Sequence, residues 1–120
     1  MAEVILVVDD SADDCMLVEK LLVHAGYTVV QATNVGKAQE LLAERPEVAV
    51  IVCDLNMPDG GAVALLENRP AQPVIVMSGA FPEEGAGSQE WLQDNHAYMT
   101  ISKGRLSLLS GAVEAAMSQK

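Results

Sequence analysis

Apolar residues rich in valine and isoleucine gather in short unbroken runs at VILVV (4–8), VAVIVC (48–53) and PVIVM (73–77). Each is too short for a helix and is bounded by turn or polar residues, the pattern of strands buried on both faces. TVVQA (28–32) and YMTIS (98–102) predict two further strands. Between the runs the spacing becomes helical. Val18, Leu21, Leu22 and Ala25 recur at helical intervals and stop at Gly26, a natural C-terminal cap. Asn34 is placed to cap a second helix with apolar positions Val35, Ala38, Leu41 and Leu42, ending before Pro46. Residues 61–68 predict a short third helix, and Leu108, Leu109, Ala112, Val113, Ala116 and Met117 the apolar face of the last. In the stretch 81–97, Gly85 and Gly87 interrupt any helix, so the fourth is expected to start only at Ser88, with Glu90 and Trp91 just inside.

Strict alternation of strand and helix implies parallel strands joined by crossovers, with helices on both sheet faces. The expected class is therefore α/β: a doubly wound, flavodoxin-like sheet of five parallel strands. No repeat, low-complexity tract or linker interrupts the pattern, so residues 1–120 read as a single domain. In such sheets ligands bind beyond the carboxyl ends of the strands, at the topological switch point.

Composition narrows the partners. Lys and Arg number 7 against 17 Asp and Glu, a net charge of −10, which argues against direct binding to a nucleic-acid backbone. The apolar runs fall far short of the roughly 20 residues a membrane helix needs. No secretion signal is evident near the N-terminus, and Cys15 and Cys53 form neither a metal spacing nor a disulfide framework. A cytoplasmic location is expected, with both thiols serving as packing.

The residues at the strand ends carry the chemistry: Asp9 and Asp10 after the first, Asp54 at the third, Ser78 after the fourth and Lys103 after the fifth. Singly, each has an ordinary structural account, as a helix cap, a turn former or a solvated amine. Jointly, three carboxylates converging on one sheet edge would raise one another's pKa unless a cation sat among them. All-oxygen ligands in a shallow site favour a hard ion that keeps several waters, which points to Mg²⁺. Lys103 is then a point charge suited to a phosphoryl oxygen, and Ser78 a rotatable donor. Asp54, an acid at the end of a buried run, reads as a nucleophile toward phosphorus, giving an aspartyl phosphate.

These residues closely resemble the receiver domain of the two-component response regulators. VVDDS (7–11) resembles the acidic pair of that family, and DLNMPDG (54–60) its phosphoacceptor loop. The resemblance implies that Asp54 accepts the phosphoryl group, that Asp10 and Asp54 ligate Mg²⁺ directly, that Asp9 holds it through water, and that the Asn56 backbone carbonyl completes the protein ligands. It likewise assigns Ser78 and Lys103 to the phosphoryl group. A sensor histidine kinase or histidine phosphotransfer protein is implied as donor, and a downstream protein or output domain as receiver of the signal. The face made by the fourth helix, fifth strand and fifth helix would change on phosphorylation and is a possible homodimer surface.

Three positions depart from the pattern. Gly104 stands where the family usually has Pro, and Thr100 where it has an aromatic, with Tyr98 two residues earlier and expected on the same strand face. Only 24 residues separate Asp54 from Ser78, fewer than usual. The departures motivate an alternative, a receiver-like binding module that works without phosphorylation. A flavin protein fits less well, because DDSADD (9–14) would repel a phosphate. An aspartate-nucleophile phosphatase also fits poorly, because Ser11 stands where its second acid would be.

Overall fold

The computed structural model describes residues 3–79 and 89–118. Strands β1 (Val4–Val8), β2 (Thr28–Ala32), β3 (Val48–Asp54), β4 (Val74–Ser78) and β5 (Met99–Ser102) alternate with helices α1 (Ala12–His24), α2 (Val35–Glu44), α3 (Gly61–Glu67) and α4 (Gln89–Asn95). A 3-10 helix (Lys103–Leu108) then leads into α5 (Leu109–Met117). The strands form one parallel sheet in the order β2-β1-β3-β4-β5. Strand order reverses at β1, so the crevice between the carboxyl ends of β1 and β3 is the switch point.

Alternation along the strands sorts the core into two layers, since successive side chains point to opposite sheet faces. Ile5, Val7, Val52, Ile75, Met77 and Ile101 meet α1 and α5 through Val18, Leu22, Leu109 and Val113. Leu6, Val8, Ile51, Cys53, Val74 and Val76 face α2 and α3, through Val35, Ala38, Ala62 and Leu65. One irregularity breaks the period. Val4 pairs with Val48 but Ile5 with Val50, leaving Ala49 as an extra residue, and Ala49 and Val50 both face the α1/α5 layer.

Caps fix the helix ends, at Asn34 and Gly26 as the sequence predicts and at Ser11 for α1. Ser11 Oγ accepts the Asp14 N–H at 3.3 Å, and Asn34 Oδ1 accepts the Lys37 N–H at 2.7 Å. Gly26 ends α1 with φ +100°, in the left-handed region. Both cysteines are free and buried, Trp91 packs against the α2/α3 layer, and His24 and His96 lie exposed at helix ends.

Several expectations need correction. Ser78 is the last residue of β4 rather than the first beyond it, whereas Asp54 ends β3 as expected. β5 starts at Met99, and Tyr98 packs with Met99 against the α1/α5 layer, so it does not share the face of Thr100. Leu108 is not part of an apolar face: it is 56% exposed, because the segment after β5 is a 3-10 turn that rotates it outward. The expected cap at Ser88 and the irregular stretch before it fall outside the described residues.

Candidate functional site

Asp9 follows a strand whose last four residues are buried and is itself fully buried. Its backbone still belongs to the sheet, donating its N–H to the Ala32 carbonyl at 3.1 Å. Its carboxylate is held from two sides, Oδ1 by the Ser11 N–H at 2.9 Å and Oδ2 by Lys103 Nζ at 2.8 Å. Asp10, by contrast, is exposed at the rim. Asp54 ends β3, where every residue is buried, and is only 4% exposed.

The loop beyond Asp54 is built to double back sharply. Gly60 donates to the Met57 carbonyl at 3.0 Å and has φ +102°, and Gly61 follows at φ +56°. A Cβ on Gly61 would sit 2.6 Å from the Leu55 carbonyl oxygen and 2.7 Å from that of Asp54, closer than real contacts allow. Only glycine permits this approach. Asp59 then ties the start of α3 to that of α2, its Oδ1 accepting from Gly61 N–H at 3.3 Å and its Oδ2 from Val35 N–H at 2.7 Å.

Parallel register brings the other strand ends alongside. Asp54 pairs with Met77, and Ser78, the next residue of β4, pairs with Ser102, directly before Lys103. Ser78 is fully buried and its hydroxyl accepts from Asn56 Nδ2 at 3.1 Å. Thus Asp9, Asp10, Asp54, Asn56, Ser78 and Lys103, each marked by the sequence, gather at one end of the sheet.

Asp9, Asp10 and Asp54 each offer a carboxylate oxygen, and these oxygens lie within 4.8 Å of one another. Burial, and then the charge of Asp9, pushes the Asp54 carboxyl above its ordinary range, against the pull of Lys103 and of a backbone hydrogen bond from Asn56. For Lys103, burial works against the charge, but hydrogen bonds to Asp14 and Asp9 outweigh it and keep the amine protonated. Its nitrogen lies 2.7 Å from Asp14, 2.8 Å from Asp9 and 3.5 Å from Asp54. Both buried thiols are held toward their neutral form. Burial and the Asp9 charge push Cys15 up to about 11, and burial raises Cys53 further. Such a pocket holds excess negative charge at its floor and suits a cation ligated by oxygen.

Asp14 and Asp59 were not singled out by the sequence. Asp14 looks like a first-turn helix acid, three residues past the Ser11 cap, and its partner Lys103 is far along the chain. Asp59 sits in a turn motif that gives no sign of its reach to α2.

Known proteins resemble this chain in sequence and fold. The sequence pattern described as "Response regulator receiver domain" matches residues 5–104. The chain is 35% identical over 78 residues to the transcriptional regulatory protein ZraR of Escherichia coli O157:H7, a match covering 62% of this chain and 18% of that protein. It is 38% identical over 85 residues to a protein-glutamate methylesterase/protein-glutamine glutaminase of Archaeoglobus fulgidus, covering 68% of this chain and 24% of that one. It therefore spans about a quarter or less of these curated relatives. Among solved structures, the response regulator domain of Thermotoga maritima CheB superposes with a TM-score of 0.80 at 27% identity, covering 98% of each chain. The signal receiver domain of an HD domain-containing protein from Pseudomonas fluorescens Pf-5 has the same fold, with a TM-score of 0.80 at 22% identity over 99% of this chain and 97% of that one. The chain belongs to the response regulator receiver domain family of two-component signalling.

Proposed function

We propose that Asp54 is the phosphoacceptor of this receiver domain and that Asp9, Asp10, Asp54 and the Asn56 backbone carbonyl hold Mg²⁺ beside it. The observation that carries the reading is a carboxylate raised in pKa by its burial and then by a second buried carboxylate, with an exposed third and a protonated lysine within reach. Mg²⁺, when bound, would neutralise carboxylate charge and polarise a phosphoryl oxygen. Everything else falls to the chain. An Asp54 oxygen attacks phosphorus, a P–O or P–N bond to the donor breaks, and the donor leaves with its electron pair. The Lys103 ammonium stabilises charge on the phosphoryl oxygens, and the Ser78 hydroxyl donates to one of them. Burial of Asp9 and Ser78 keeps the floor of the site fixed while Asp10 and Asn56 leave its mouth open.

A sensor histidine kinase or histidine phosphotransfer protein is the donor on this reading, and a downstream protein or output domain reads the product. The signal would pass through α4, β5 and α5, which is also the candidate homodimer face, in the cytoplasm. Among the described residues no helix is long and apolar enough to cross a membrane.

Incubation with Mg²⁺ and acetyl phosphate followed by intact mass measurement tests the assignment. One phosphoryl group should add to the wild-type chain, and none to Asp54→Asn or in excess chelator. An adduct that survives in Asp54→Asn would overturn the assignment, and no adduct from small-molecule or phosphohistidine donors would favour a binding module that works unphosphorylated.

A further inference from the structure

Lys103 leans away from the carboxylate it is expected to serve. Its nitrogen is within hydrogen-bond distance of Asp14 at 2.7 Å and Asp9 at 2.8 Å, but 3.5 Å from Asp54. The proposed reaction gives Asp14 no role. It is also outside the trio of carboxylates grouped closely enough to share a cation.

The backbone does little to fix the lysine. Lys103 opens a 3-10 turn whose start is held by the Ser102 hydroxyl accepting the Gly104 N–H at 3.2 Å, and Arg105 already leaves helical geometry at φ −128°, ψ 36°. Gly104 adds no ring and no side chain. The position of the ammonium is therefore set chiefly by its ion pairs.

Resting on the phosphoacceptor reading, we propose that Asp14 is a positioning residue that restrains Lys103, competing with a phosphoryl group on Asp54 for the ammonium. An ammonium has three donors, and two are engaged on Asp9 and Asp14. A cation on Asp9 and Asp54 weakens the hold of Asp9 on the lysine, while Asp14, fixed on the first turn of α1 through its own N–H to Ser11 Oγ, keeps its hold. Removing the Asp14 charge has two effects of different kind. The ammonium becomes free to meet an incoming phosphoryl oxygen, which speeds phosphorylation. In the resting protein it settles on Asp9 and Asp54 instead, where it competes with Mg²⁺.

The test compares Asp14→Asn with Asp13→Asn, which makes the same charge change at an exposed neighbour that is not among the carboxylates pairing with Lys103. Relative to Asp13→Asn, Asp14→Asn should be labelled by acetyl phosphate at saturating Mg²⁺ roughly two- to fivefold faster and bind Mg²⁺ more weakly by a similar factor, the range a partly exposed ion pair supports. Asp14→Glu should restore both values toward wild type. Equal or slower labelling of Asp14→Asn overturns the proposal, as does unchanged Mg²⁺ affinity. Absence of any adduct on the wild-type chain overturns the phosphoacceptor reading itself. A labelled wild type with indistinguishable Asn variants overturns only the role of Asp14.

Discussion

Asp54 places an ionisable group where burial and Asp9 both oppose its charge, which makes it a measurable liability in the metal-free protein. Because its folded-state pKa is raised, this group favours folding fully below its ordinary value of 3.8 and gives that up as pH rises through the raised value. Ionised Asp54 therefore destabilises the metal-free fold at neutral pH. Asp54→Asn should raise the urea midpoint at pH 7 without metal and flatten its fall between acid and neutral pH; a lowered midpoint would contradict this. Gly61 makes an opposite demand. Gly61→Ala must place a methyl group against two carbonyl oxygens at φ +56°, which should lower stability by at least about 2 kcal/mol, read as a shift in the same midpoint. The principal site residues were legible because an acid, hydroxyl or amine after a buried run is conspicuous. Asp14 was not, since an ion pair between the first turn of α1 and the residue after β5 leaves no local trace.

Elements meet the site through their termini. Asp59 holds the first turns of α2 and α3 together with one carboxylate. Asp59→Ala should therefore cost roughly 1 kcal/mol, the scale of a lost cap, and hydrogen exchange should quicken in the first turns of both helices rather than of one. Protection lost in α3 alone would show that the link to Val35 carries no weight. Most elements were visible in advance because Val/Ile runs and helical spacing are local signals, and Gly26 and Asn34 mark ends by their own backbone chemistry. The segment after β5 was not. LeuSerLeuLeu (106–109) has the composition of a helix, but the chain first makes a 3-10 turn, so Leu106 and Leu109 are buried while Leu108 faces solvent.

Across the whole molecule, the site joins the ends of four strands, β1, β3, β4 and β5, into one charged cluster, so ligand binding there is felt by the global fold. A cation binding only the folded protein at a hundredfold its Kd should add about 2.7 kcal/mol, seen as a rise in Tm with Mg²⁺ that is lost in Asp54→Asn. A Tm indifferent to Mg²⁺ would count against the metal site. The layering was readable at this scale too: the three continuous runs became the interior strands β1, β3 and β4, and the mixed TVVQA and MTIS became the edges, whose pattern reflects one flank left partly open. Strand β3 has a particular standing among them. All seven of its residues are buried, it hydrogen-bonds on both sides, and it feeds both core layers, with Ala49 as the extra residue on one of them. Its amide protons should thus be released to deuterium only when the entire chain opens, whereas those of β2 and β5 escape through smaller fluctuations. The anchor of the reactive acid would then be the last part of the protein to come apart.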